Sequence, residues 1–173
     1  METKTLSIVK HPLEVVWPAM RDRLPEIAAG VDDVESVQLQ ERTERDDGTV
    51  VVVHLWQASP KLPGIIANHI RPEMLRWTDR ATWSAHDMTC TWTIEPHALA
   101  DRIQCHGRTT YEAAMGGRGT RITFLSNFLL GRGRDGAPDN PLFTAAEPLL
   151  RGMIPKNFQK IVAQLGVLLD RAR

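Results

Sequence analysis

Few side chains in this 173-residue chain are placed to do chemistry. Asp79 sits in the run Leu75-Arg76-Trp77-Thr78-Asp79-Arg80-Ala81-Thr82-Trp83, where every second residue shares one face of a strand. Leu75, Trp77, Ala81 and Trp83 make that face apolar, so a carboxylate among them must be paired, protonated or turned to a polar group. Two readings stand side by side. Asp79 either has a structural place, in an ion pair with an arginine of a neighbouring strand or on a face shifted by a bulge, or lies inside a cavity, where it fixes a ligand head group or moves a proton. Tyr111 is the other candidate for proton transfer, but the sequence supplies no convincing acid and base within reach of each other.

The remaining motifs argue against particular chemistries. Gly131-Arg132-Gly133-Arg134-Asp135-Gly136 has the letters of a dinucleotide fingerprint, yet Ala137-Pro138-Asp139-Asn140-Pro141 follows where a helix is required. A loop accounts for it better. His11, His54, His69, His86, His97 and His106 show none of the tight metal-ligand spacings. His97 and His106 bracket a hairpin and His54 lies on a strand, so only a site assembled in space could use them. No Gly-x-Ser-x-Gly elbow occurs. Cys90 and Cys105 have neither a helix N-terminus nor a basic cluster beside them in sequence to activate a thiolate. If their strands join near Ala98 to Ala100, Cys105 falls opposite about Thr93, which argues against a disulfide with Cys90. The sequence therefore assigns no catalytic residue, metal or cofactor.

Composition narrows the partners. Twenty-one basic residues balance 21 acidic ones, so no overall field favours nucleic acid or an anionic membrane. No run approaches the roughly 20 apolar residues of a membrane span, and Met1 to Lys10 lacks an apolar signal core. A cytoplasmic protein of one domain over residues 1–173 is expected, with no stable membrane insertion and an oligomeric state the sequence does not fix.

Thr3 to Lys10 alternates as a first strand, and His11-Pro12 opens a helical stretch with Pro12 suited to the first helical position. Pro18 and Pro25 each remove an amide donor, which predicts two short helices with a bend. Strands follow from Val34, across the Asp46-Asp47-Gly48 turn to Thr49–Gln57, and again at Leu75–Ser84, Thr89–Glu95, Arg102–Ala114 and Thr120–Leu130. Gly116 to Gly119 reads as the turn between the last two. Between them, Ser59–Glu73 reads as irregular or briefly helical. From Glu147 to Arg173, Leu150, Ile154, Phe158, Ile161, Leu165 and Leu168 step with helical period, and Met153, Val162 and Leu169 widen the stripe. Pro155 predicts a leading turn over Thr144–Arg151 followed by the main rod, a kink that could gate a mouth with Leu62–Ile70 or only steer the helix around the sheet.

Sequential strands joined by tight turns imply an antiparallel sheet. The order of strand, two short helices, six strands and long helix resembles the helix-grip fold of the START-like (birch-pollen-allergen-like) superfamily, SRPBCC. Gly152-Met153-Ile154-Pro155-Lys156 is similar to the opening of the last helix in START lipid-transfer domains. The resemblance implies an α+β fold, a curved antiparallel sheet of about seven strands wrapped around the C-terminal helix, and a ligand cavity between them. The inward rows mix aromatic with small or hydroxylated residues, as apolar ligand sites do. The expected function is binding, or transport, of a hydrophobic small molecule or lipid. Its expected walls are Trp77, Trp92, Tyr111, Phe124, Phe128, Met153 and Phe158, with Asp79 as the polar contact. The competing expectation, from the same resemblance, is an aromatase/cyclase-type enzyme acting on a polyketide-like chain.

Overall fold

A computed structural model describes residues 2–59, 71–98, 100–131 and 141–172, with the backbone alone at 72–73, 130 and 141–151. Seven strands form one antiparallel sheet in the order β1-β7-β6-β5-β4-β3-β2. They are β1 (Glu2–Val9), β2 (Val34–Glu44), β3 (Val50–Ala58), β4 (Arg76–Ser84), β5 (Thr89–Pro96), β6 (Ile103–Ala114) and β7 (Gly119–Leu130). Helices α1 (Leu13–Asp22) and α2 (Leu24–Ala28) follow β1, and α3 (Pro141–Arg171) ends the chain. This is the α+β helix-grip architecture expected.

The prolines act mostly as their chemistry requires. Pro12 caps α1 from just outside it, one position before the expected one, and Pro18 is carried within it. The break falls at Arg23, and Pro25 lies in the first turn of α2, where its missing donor costs nothing. In α3 the expectation fails. The helix begins at Pro141 and runs unbroken through Pro155, so Thr144–Arg151 is no separate turn. Proline removes one bond to the carbonyl four residues back, and the helical run of 31 residues continues on both sides of it. The Leu62–Ile70 segment and the Arg132–Gly136 part of the glycine-rich run lie outside the described residues.

Inside the sheet the faces fall as the alternation required. Ala81 and Trp83 on β4, Cys90 and Trp92 on β5, Cys105, Thr109 and Tyr111 on β6, and Ile122, Phe124, Ser126 and Phe128 on β7 are all buried. On β1 the inward positions are Thr5 and Val9, whereas Leu6 and Ile8 point outward and are exposed. Against these rows α3 sets Ile161, Val162, Leu165 and Leu169, all buried, with Ile154, Phe158 and Leu168 packed on the same core. Two register shifts in β2, at Val34/Ser36 and Leu39/Glu41, break its ladder with β3, and such bulges bend a strand. Gly107 is needed for close packing. A β-carbon there would meet Trp92 at 2.3 Å and the Leu125 carbonyl at 2.1 Å, so the indole lies directly over bare backbone.

The sheet has two unlike ends. The β4–β5 and β6–β7 turns lie at one, where α1 also begins. There Trp17 of α1 meets Trp83 and Tyr111 edge-on, each with ring centroids 5.1 Å apart. Buried His11 links this end to α3 through Asp170 at 2.8 Å, and Thr120 donates to the His11 carbonyl at 2.8 Å. The β3–β4, β5–β6 and β7–α3 connections all leave from the opposite end. The aromatic, packed end is termed closed, and the end that carries the long connections is termed open.

Candidate functional site

Strand register builds the site. His54 of β3 stands opposite Asp79 of β4, Asp79 opposite Ile94, Ile94 opposite Cys105, and Cys105 opposite Phe128. These five inward positions make one row across five strands, with cross-strand neighbours roughly 5 Å apart at Cβ. One row nearer the open end, Trp56 stacks on Trp77 at 5.6 Å with planes 15° apart. On the other side Trp92 stacks on Phe124 at 4.9 Å, and Phe124 on Phe158 of α3 at 4.1 Å. Successive inward rows are about 7 Å apart. The His54–Asp79 row is therefore bounded by an aromatic floor below and a tryptophan pair above.

The electrostatics follow from that enclosure. Asp79 is half-buried, so solvent reaches part of it, yet burial pushes its carboxyl up to about 7; the Trp56 N–H opposes the rise only partly. Trp56 Nε1 is near enough to act on the carboxyl but makes no well-formed hydrogen bond. No cation holds Asp79 among the described residues, so the arginine ion pair considered from sequence is not formed there. Across from it His54 is 3% exposed, and burial lowers its imidazole to about 4. Near pH 6 the row therefore holds a protonated acid facing a neutral imidazole. Burial, with the Asp79 charge adding to it, pushes the Cys105 thiol up to about 12 and raises Cys90 well above its ordinary value. Both cysteines are free, with Cys105 opposite Ile94 rather than Thr93, one position from the expected register.

The structure divides the expected wall residues among three levels. Trp77, Asp79 and Phe128 gather toward the open end. Trp92, Phe124 and Phe158 join as the stacked floor, with the Trp92 N–H donating to Thr109 Oγ1 at 3.2 Å. Tyr111 lies at the closed end, in the cluster with Trp17 and Trp83, and is not brought to Asp79. Met153 is half-buried on α3, a turn before Phe158. Sequence reasoning left out His54 and Trp56 as site residues. The alternation Val50, Val52, His54, Trp56, Ala58 was there to be read, but no tight turn joins β3 to β4 to tie it to Asp79.

Beyond the Ile94–Cys105 pair β5 and β6 part, and a cleft of about 430 Å³ opens between them. Ile94, Ile103 and Cys105 line it from the inward side, and Glu95, Gln104 and His106 from the outward side. It shares Ile94 and Cys105 with the Asp79 row. Among the described residues no three His, Cys, Asp or Glu side chains gather as metal ligands, and no helix is long and apolar enough to cross a membrane.

A family model described as a protein of unknown function (DUF2505) matches residues 7–127. No curated protein matches the sequence. Among solved structures, the chain is similar to the Zhui aromatase/cyclase from Streptomyces sp. R1128, with 17% identity, a TM-score of 0.70, and 100% of this chain and 96% of that one covered. It is similar also to TTHA0849 from Thermus thermophilus, with 16% identity, a TM-score of 0.70 and 99% of each chain covered. Norcoclaurine synthase from Thalictrum flavum, in complex with dopamine and hydroxybenzaldehyde, follows at 11% identity and a TM-score of 0.64, covering 100% of this chain and 88% of that one. At these identities the likeness shows the helix-grip fold.

Proposed function

The chain belongs to the DUF2505 family, and we propose that it binds a hydrophobic small molecule between the sheet and α3, with Asp79 as the polar contact. The observation that carries this is a carboxyl set between aromatic levels on the inward face, with no cation to hold it among the described residues. A residue that served only folding would be better replaced there by an apolar side chain, because an unpaired buried acid costs stability. The same placement suits a recess that is apolar overall and carries a few convergent polar groups. Trp77, Phe128 and Ile94 then form the wall, Trp92, Phe124 and Phe158 the floor, and Met153 the adaptable edge on α3. The fold likeness to a synthase crystallised with two small aromatic molecules supports this reading, as does the START-like superfamily in which we place the chain.

Native mass spectrometry of the purified protein should show a co-purified apolar species, and Nile red should bind saturably and be displaced by it. Ile94→Trp, which places an indole in the β5–β6 cleft and next to Asp79 in the row, should abolish that saturation. Absence of both a bound species and saturable dye binding would overturn the reading. One observation favours a second reading, an aromatase/cyclase-type enzyme: His54 faces Asp79 across one strand pair, with the two pushed to opposite sides of their ordinary values. Asp79→Asn separates the two, since it should leave binding intact and abolish acid–base turnover.

A further inference from the structure

Two buried polar atoms at this site lack a well-formed hydrogen bond among the described residues. They are His54 Nδ1 and Trp56 Nε1, the Trp56 N–H lying only near enough to the Asp79 carboxyl to act on it. Both residues are at least nine-tenths buried, at 3% and 9% exposure. They occupy successive inward positions of β3, beside Asp79 and Trp77. An orphaned buried polar group destabilises the fold unless something satisfies it. Two of them beside a carboxyl that solvent partly reaches mark the place where a ligand's polar atom would sit.

We propose that this site selects an uncharged hydroxyl or carbonyl on an otherwise apolar molecule, and discriminates against carboxylates, phosphates and amines. The inference rests on the binding reading above and specifies its ligand. Trp56 Nε1–H can only donate, so the ligand atom beside it must accept. A hydroxyl accepts from Trp56 and donates to Asp79 or to the free nitrogen of His54; where Asp79 is protonated the oxygen accepts from it as well and donates to His54, so one atom serves all three groups. A carbonyl accepts from Trp56 and from the protonated carboxyl, which is the form Asp79 keeps below about pH 7. An anion would meet the Asp79 carboxyl in a row whose other members, His54, Ile94, Cys105 and Phe128, supply no positive charge when the imidazole is neutral. An ammonium could pair with Asp79 but has no lone pair for Trp56, which would stay orphaned. The tryptophan donor thus excludes cations and the lack of a counter-charge excludes anions.

The test uses three probes of one chain length, 1-dodecanol, dodecanoate and dodecylammonium, titrated by calorimetry into the full-length protein at pH 8 below their aggregation limits. The alcohol should bind at least about ten-fold more tightly than either ion, about 1.4 kcal/mol. Trp56→Phe, with folding checked by circular dichroism, should cut the alcohol's affinity several-fold and leave the ammonium's unchanged. For dodecanoate, lowering the pH through about 7 should strengthen binding to wild type and not to Asp79→Asn. Equal or tighter binding of either ion by wild type would overturn the proposal. If Nile red binds and the three probes do not differ, this inference alone falls. If neither Nile red nor any probe binds, the binding reading falls with it.

Discussion

The facing of His54 and Asp79 predicts two opposite pH dependences in one strand pair. Asp79 ionises near its ordinary 3.8 in the unfolded chain but only at about 7 in the fold. Between those values the unfolded state releases the proton first, so Asp79 draws stability away as pH rises, with the full cost present above about 7. One unit of difference in pKa is worth about 1.4 kcal/mol, which sets an upper bound of about 4 kcal/mol; partial solvent access brings the expected cost to about 2–4 kcal/mol. His54 works the other way. Its ordinary 6.5 falls to about 4 in the fold, so as pH drops through that window the unfolded chain takes the proton first. Stability is lost toward low pH, by up to about 3 kcal/mol. Across pH 4 to 6.5 the two slopes nearly cancel in the wild type.

Single variants should uncover them. Urea denaturation of wild type, Asp79→Asn and His54→Gln, followed by far-ultraviolet circular dichroism from pH 4.5 to 7.5, reads each difference directly. Relative to wild type, Asp79→Asn should gain about 2–4 kcal/mol between pH 4.5 and 7.5. His54→Gln should change over the same range in the opposite direction, being most favoured at pH 4.5 and losing about 2–3 kcal/mol of that advantage by pH 7. Constant costs of the substitutions cancel, because only the pH dependence is compared. A flat difference for Asp79→Asn would mean that the carboxyl titrates as a solvated acid, and the enclosure argued for this row would be refuted.

Other outcomes follow from packing. Gly107→Ala forces a methyl into the Trp92 indole and the Leu125 carbonyl and should cost about 1–3 kcal/mol or more by urea denaturation; pairing it with Trp92→Leu should recover part of the loss. Thr120→Val leaves the buried His11 carbonyl without its donor and should cost about 1–3 kcal/mol in the same assay. Cys90 and Cys105, buried and with raised thiols, should resist a disulfide-exchange reagent at pH 8 and react promptly once urea unfolds the chain. Rapid labelling of the native protein would show that the row around Asp79 opens far more readily than its burial suggests.

The strand faces were legible because period-two alternation is a local property: Trp77, Asp79, Ala81 and Trp83 declare their common side without any partner. The helix-grip order was legible for the same reason, element by element. The polar site was only half legible. Asp79 stood out as an acid in an apolar row, but His54 lies 25 positions away on a strand joined to β4 by a long connection, and no short turn fixes that register. Tyr111 shows the converse limit. Alternation gave its face correctly, while its level along the strand, beside Trp17 of α1 and distant from Asp79, depended on where a helix docks. Pro155 marks no restart, because the hydrogen bond it removes is a local loss within a helix that continues on both sides.

The five tryptophans fall at two levels of the sheet, which meet where Trp92 faces Ala81 beside Trp83. Trp56, Trp77 and Trp92 border the His54–Asp79 row, whereas Trp17 and Trp83 touch each other at 5.1 Å at the far end of the sheet. An occupant of the row should perturb the near-ultraviolet bands of the first group most, and loosening of α1 those of Trp17 and Trp83. The chromophores that build this interior therefore also report on it, in two channels that distinguish occupancy from repacking.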